Sequence, residues 1–174
     1  MAAMRIALVS PYSWTYPGGV TRHIESLADQ FLADGHEVRV LAPYDPDDGL
    51  SVRLHRGARP QARELPDHLI PLGRTIGIPA NGAVSNISPT PYAATTMRRE
   101  LKAFAPDVVH LHEPVAPVPC WDALMAIDAP LVGTFHTYST NALTQGVANF
   151  MGARRRYFEP DRVRFLGCGP PQMG

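Results

Sequence analysis

Three imidazoles and a carboxylate fall in two short stretches: His110, His112 and Glu113 in DVVHLHEP, and His136 in LVGTFHT. In an extended strand, positions 110 and 112 point to the same face, so two imidazoles converge there. Three histidines and a carboxylate are adequate zinc ligands. Neither H-E-x-x-H nor a paired Cys/His spacing is present, however, and no metal is expected. Two other readings remain, a set of core histidines bonded to backbone and a polar lining for a substrate cleft. The second carries the greater weight, and His136, at a strand end, is the best placed.

A second pattern is Gly18-Gly19, just ahead of a helical stretch. Paired glycines let a ligand approach the backbone, and the free N–H groups and dipole of a helix N-terminus favour an anion such as a diphosphate. The spacing is neither G-x-G-x-x-G nor G-x-x-x-x-G-K-[ST], so dinucleotide and P-loop readings are disfavoured. Taken alone, the pair fits a tight loop without a ligand equally well. Nucleophilic arrangements of Ser, Cys and His are not apparent, and Cys120, after Pro-Val-Pro, reads as a core-facing helix start. Arg154-Arg155-Arg156 opens a basic tail that suits a solvated helix end or, alternatively, phosphates or an anionic membrane. His55–Arg63 is likewise basic and reads as a surface loop.

These residues need a scaffold, and apolar periodicity supplies one. Arg5–Ser10 is a short apolar run stopped by Pro11, which predicts a strand buried on both faces. Val20, Ile24, Leu27, Ala28, Phe31 and Leu32 then form a helical stripe, with Gly35 at its end and a strand over Glu37–Ala42. Strand, glycine loop, helix and strand make a βαβ unit with a parallel sheet. Asp45–Gly49 reads as a polar turn, Ser51–Arg59 as a short strand, and Leu69–Ile87 as short strands or an extended excursion. A helix over Ala93–Phe104, a strand over Asp107–His112, a short helix over Cys120–Ile127 presenting Trp121, Leu124 and Met125, and a strand over Leu131–His136 follow. A further helix is expected from near Thr140 to about Arg155. The alternation predicts an α/β fold, a Rossmann-like doubly wound parallel sheet with helices on both faces.

Composition agrees with one such domain. The chain has 174 residues, 45% of them apolar and 18% charged, with sixteen basic side chains against sixteen acidic ones. That balance leaves no electrostatic footprint for nucleic acid. Two cysteines cannot build a disulfide framework, and no apolar run approaches the roughly 18 residues of a membrane span. A cytoplasmic domain is the expectation. Eighteen prolines predict many sharply punctuated connections.

Together, MRIALVSPYSWTYPGGVTRHIESLADQFLADGHEVRVLAP, PDVVHLHEP and APLVGTFHTYST resemble the N-terminal domain of a family 4 glycosyltransferase, and within it the phosphatidylinositol mannosyltransferases. The resemblance runs from Met4 to about Arg156. It implies one half of a GT-B fold, with two Rossmann-like domains facing across a cleft. It also implies sugar transfer with retention, without a bound metal or cofactor, from a nucleotide-sugar such as GDP-mannose to a sugar or lipid acceptor. Carried over by residue, Gly18 and Gly19 would meet the donor diphosphate, and His136 and Gly19 would be the catalytic contacts. Tyr12, Thr15, Asn81, His112 and Glu113 would lie on the acceptor side.

Departures are specific. The inositol-phosphate enzymes carry Tyr-Asn-Gly where this chain has Ala80-Asn81-Gly82, an Arg where it has Asn86, and an Asp where it has Thr15. Losing the arginine weakens the case for a phosphoinositide acceptor, because guanidinium offers paired donors to phosphate. Residues 1–156 are read as the acceptor-side domain and 157–174 as a divergent tail, for which a reading-frame shift near codon 160 is one explanation. The donor-side domain with its E-x7-E motif is missing, so the half is expected to be inactive alone. Peripheral contact with the inner membrane face and self-association through the exposed interdomain face are further expectations. The alternative is a non-catalytic module that binds an acceptor or a membrane, supported by the basic tail and by Trp14 and Tyr16, expected to be exposed.

Overall fold

The computed structural model describes residues 2–80, 83–114, 116, 118–136 and 163–167. Strand β1 (Arg5–Val9) is followed by helix α1 (Gly19–Ala33) and strand β2 (Glu37–Ala42). Helix α2 (Gly49–Leu54) and strands β3 (Leu69–Pro71), β4 (Ile76–Ala80) and β5 (Ala83–Ile87) form the middle of the chain. Helix α3 (Pro91–Phe104), strand β6 (Val108–His112), helix α4 (Pro119–Ala126), and strands β7 (Leu131–Phe135) and β8 (Val163–Gly167) complete it.

Among the described residues the main sheet has the order β3-β2-β1-β6-β7-β8. Every neighbouring pair is parallel. The chain grows outward from β1 in one direction and then returns to build the other side from β6. The seam between β1 and β6 is therefore the topological switch point, where the crevice of an open α/β sheet lies. β4 and β5 form a separate antiparallel hairpin, tied to the loop after β1 by a bridge between Tyr12 and Ile87.

Alternation along β1 explains the two layers. Ala7 and Val9 enter a core with Met97 and Leu101 of α3 and with Cys120, Ala123 and Leu124 of α4. Ile6 and Leu8 enter the opposite core with Ile24 and Ala28 of α1. Neighbouring side chains of a strand point to opposite faces, so a strand covered on both sides must be apolar throughout. Pro91 at the start of α3 and Ala105, left-handed at φ 47 before Pro106, bound that helix where proline punctuation predicts.

Three expectations need amendment. Ser51–Arg59 is not a strand: residues 49–54 are helical, because Asp48 caps Ser51 N at 2.9 Å and Arg74 holds both Asp48 and Ser51 Oγ. In α4, Leu124 is buried beside Cys120 and Ala123, whereas Trp121 and Met125 face outward. Beyond Arg156, where the sequence reading ends the domain, Val163–Gly167 pairs with β7 and extends the sheet. The helix expected over 140–155 lies outside the described residues.

Candidate functional site

The carboxyl ends of β1, β6 and β7 bring the histidines together. His112 ends β6 and His136 follows β7, and register sets His112 beside Thr134. His112 Nδ1 and His136 Nε2 share a hydrogen bond of 2.9 Å, with the two rings stacked at 5.2 Å. His110, on the same face as His112, stacks on it at 4.2 Å, and its Nε2 meets Thr134 Oγ1 at 2.7 Å. The shared-face expectation holds, but His110 turns toward Thr134 and not toward His136.

The third partner is one that sequence reasoning missed. His23 lies one turn into α1, with its ring 5.3 Å from His136 and 5.7 Å from His112. Residues 19 and 23 share a helix face, so a helix starting at Gly19 signals that His23 points wherever the glycine loop points. His23, itself exposed, thereby places the first turn of α1 beside the imidazole pair.

Glu113 and Cys120 brace this pair from behind. Glu113 Oε2 accepts from His136 N at 3.0 Å, and Glu113 N donates to Thr134 O at 2.8 Å. Cys120 Sγ donates to His112 O at 3.3 Å, and burial pushes its thiol pKa up, so it is inert as expected. The turn between β6 and α4 holds two non-glycine residues at positive φ, Glu113 at 57 and Val118 at 75. Strain of this kind persists where surrounding structure over-determines it, and it clusters at functional sites.

Electrostatically His110, His112 and His136 are biased toward the neutral form. Burial first, then the neighbouring histidines, push His112 down to about 2 and His110 down to about 4. Burial and His23 also lower His136. Neutral imidazoles are hydrogen-bond donors and acceptors rather than charges. Ligating nitrogens of His23, His112 and His136 do lie within 4.8 Å of one another, a spacing that could hold an ion. An ion there would displace the hydrogen bond that already joins His112 to His136.

The remaining sequence candidates sort by exposure. Gly18 precedes α1 in extended conformation and Gly19 is its first residue; neither has a side-chain cap above it. A Cβ added at either would meet nothing within 4 Å, so the fold itself does not demand glycine there. Tyr12 is half-buried at the hairpin bridge. Thr15, expected on the acceptor side, is 1% exposed: its Oγ1 donates to Asp45 O at 2.9 Å and receives from Asp45 N. It shapes the loop and offers no surface to a ligand. His112, at 0%, and Glu113, at 7%, are also buried, and both bond to His136. Asn81 lies outside the described residues.

Trp14 is not exposed either, at 2%, and Tyr16 is stacked on His55 at 4.1 Å with its hydroxyl donating to Ala58 O. His55, in the stretch read as a basic surface loop, is buried and bonds Ser51 O and Thr75 Oγ1. A separate cleft of about 460 Å³ is lined by Trp14, Arg22, Glu25, Ser26, Asp29, Pro66 and His68, and shares no residue with the histidine cluster.

Comparison with known proteins now bears on this arrangement. Residues 17–166 match the model for Glycosyltransferase Family 4. The chain belongs to glycosyltransferase family 4. Among relatives of this family 4 chain, the phosphatidyl-myo-inositol mannosyltransferase of Mycobacterium leprae is 40% identical over 156 residues, 90% of this chain and 37% of that protein. Its counterpart in Mycolicibacterium smegmatis is 38% identical, over 90% of this chain and 36% of that protein. A GDP-mannose-dependent alpha-mannosyltransferase of Mycobacterium tuberculosis is 29% identical over 66% of this chain. The family 4 chain thus spans little more than a third of the two phosphatidyl-myo-inositol relatives. The fold agrees with two solved structures. Sucrose-phosphate synthase of Thermosynechococcus elongatus superposes with TM-score 0.53 at 14% identity, over 97% of this chain and 49% of that one. MurG of Acinetobacter baumannii gives 0.51 at 16%, over 96% and 42%. The chain is one half of a GT-B fold, with the Rossmann-like sheet that the strand alternation predicts.

Proposed function

We propose that this chain is the acceptor-side half of a retaining, nucleotide-sugar-dependent glycosyltransferase that moves a hexose, mannose first among candidates, to a lipid-linked or small acceptor. One observation carries the reading: the open N-terminus of α1, with Gly18 and Gly19, lies beside the His112–His136 pair at the switch point, where the His23 ring meets His136 edge-on. A diphosphate fits the uncapped N–H groups of α1, and the sugar then falls to His136. Transfer breaks the bond between the anomeric carbon and the diphosphate oxygen and forms one from that carbon to an acceptor hydroxyl oxygen, whose proton leaves with the diphosphate. Negative charge grows on the leaving oxygen, where the Gly19 N–H and the helix dipole are placed to stabilise it. His136, held neutral, would donate a hydrogen bond to a sugar hydroxyl. Tyr12 and the hairpin beside it would flank the acceptor.

The second half of the cleft supplies most of the donor contacts in this reading, so the half alone should turn over little or no substrate. Effective molarity is lost when one wall is absent. Among the described residues no helix is long and apolar enough to cross a membrane. The proposed location is the cytoplasm, with peripheral contact to the inner membrane face when the acceptor is a lipid. A purely membrane-binding module draws less support, since Trp14 and Tyr16 are engaged within the fold.

The test is a transfer assay with GDP-mannose, using this chain alone and with a separately supplied C-terminal half of a relative. Activity should appear only in the combination and should fall about 10²-fold or more with His136→Ala. No activity in the combination, together with no change in the spectrum of this chain on adding GDP-mannose, would end the proposal.

A further inference from the structure

His112 Nδ1 and His136 Nε2 lie 2.9 Å apart, and one of them must carry the proton between them. Both rings are held neutral by burial, so each has one N–H to place. Suppose His136 Nε2 carried the shared proton. His112 would then have to keep its own on Nε2, an atom that is buried and has no hydrogen-bond partner among the described residues. A buried N–H that donates to nothing is the rarer and less favourable kind of orphan, whereas a bare acceptor is better tolerated. The opposite arrangement avoids it.

We infer that His112 is a positioning residue that keeps its proton on Nδ1, donates it to His136 Nε2, and so fixes His136 as the tautomer whose N–H is Nδ1. The inference rests on the reading of His136 as the ligand-facing imidazole and adds which of its nitrogens is offered. Nε2 is occupied; Nδ1–H is the donor. Protonating His136 would require its Nε2 to donate back to His112, which would force the His112 proton onto the orphaned nitrogen. His112 therefore opposes the imidazolium form, and His136 works as a neutral donor. Other titratable groups facing the pair are His23 from α1, His110 from β6 and Glu113 from the following turn. Glu113 engages the His136 backbone N–H, not its ring.

Long-range ¹H–¹⁵N spectra of the ¹⁵N-histidine-labelled chain read each tautomer directly. Both His112 and His136 should show protonated Nδ1 and bare Nε2; a protonated Nε2 on His112 overturns the inference. His112→Asn places an amide donor where Nδ1 was and should leave the His136 pattern unchanged. His112→Phe removes the donor and should move His136 toward the Nε2–H form, with its titration midpoint rising by about half a unit or more. A folded His112→Phe chain with an unaltered His136 tautomer and midpoint also overturns it. If that variant does not fold, the wild-type and His112→Asn spectra decide. Adding GDP-mannose to the same sample separates the two layers: an unmoved His136 counts against the sugar-contact reading and leaves the tautomer assignment standing.

Discussion

Arg63 lies over the face of Trp14, its guanidinium carbon 5.3 Å from the indole centroid, while its Nη1 donates to Trp14 O at 3.0 Å and its Nη2 pairs with Glu25 of α1. One side chain thus covers the aromatic residue of the loop after β1 and ties it to the first helix. The ion pair is half-buried, which shields it from salt more than a surface pair. Arg63→Ala should therefore destabilise the chain by about 1–2 kcal/mol, through lost packing and cation–π contact as much as lost charge. Urea midpoints give the stability change, and acrylamide quenching in a Trp121→Phe background reports Trp14. An unquenched Trp14 after the substitution would show that Arg63 is not its cover.

The loop after β1 is held from its other side by Asp45, which is wholly buried. Its Oδ2 accepts from Ser13 Oγ at 2.6 Å and from Thr75 Oγ1 at 2.7 Å, and its Oδ1 accepts from Thr75 N at 2.9 Å. An amide in this place would turn an NH₂ toward groups that also donate. Asp45→Asn should cost about 2–4 kcal/mol, read from chemical unfolding. A loss below about 0.5 kcal/mol would mean that the network rearranges freely.

At Gly19 stability and function should separate. Its Cβ position is open and it begins a helix, so Gly19→Ala should leave the chain as stable or raise stability by a few tenths of a kcal/mol. On the proposed reading the same methyl would stand against the donor diphosphate, and transfer activity reconstituted with a C-terminal half should drop about tenfold or more. Equal activity in the two would remove Gly19 from the donor site.

Acid should weaken the fold through the buried histidines. His112 and His110 titrate at about 2 and about 4 in the fold, against roughly 6.5 in the unfolded chain. Between those limits the unfolded state binds more protons, so stability falls as pH drops below about 6.5. Stability at pH 8 and pH 7 should be alike, with a steady loss from pH 6.5 to pH 5. A level profile across that window would contradict the burial of these rings.

Asp48 acts in a lower window. Its bonds to Arg74 hold its carboxyl well below the usual carboxylate range, so its contribution is complete above the unfolded value and disappears as pH falls below about 4. The difference between wild type and Asp48→Asn in a melting series should be constant from pH 7 to pH 5 and shrink below that. A difference unchanged down to pH 2 would show that the Asp48 charge is not the cause.

Much of this scaffold is readable from pattern because its strands are buried on both faces. Ile6–Val9 is an apolar run that no exposed loop would carry, and Val38, Val40, Leu41 and Ala42 of β2 and Val109 and Leu111 of β6 supply most of the positions beside it. Helix α2 was misread because its six residues are too few for a period. Its start depends on Arg74, which lies 26 positions from Asp48. The site was half legible. HLHEP and TFH announce the strand ends, and alternation puts His110 and His112 on one face. His23 escaped because a lone histidine on a helix gains meaning only once the helix is docked beside β6 and β7. Burial was harder still: Thr15 and Trp14 sit in a loop rich in polar and turn residues, where nothing local says that Asp45 and Arg63 will close over them.

Strand order also sets a timetable. The second neighbour of β1 is β6, and Arg5 N meets the Asp107 carboxylate across 102 positions of chain. At roughly 5–20 residues per second, a ribosome needs about 5–20 seconds to span that interval. During that time β1 and β2 have been made, yet one apolar strand edge stands open at what will become the middle of the sheet. The nascent protein therefore carries the future cleft seam exposed until β6 emerges, and the site is complete only once β7 has followed and brought His136 beside His112.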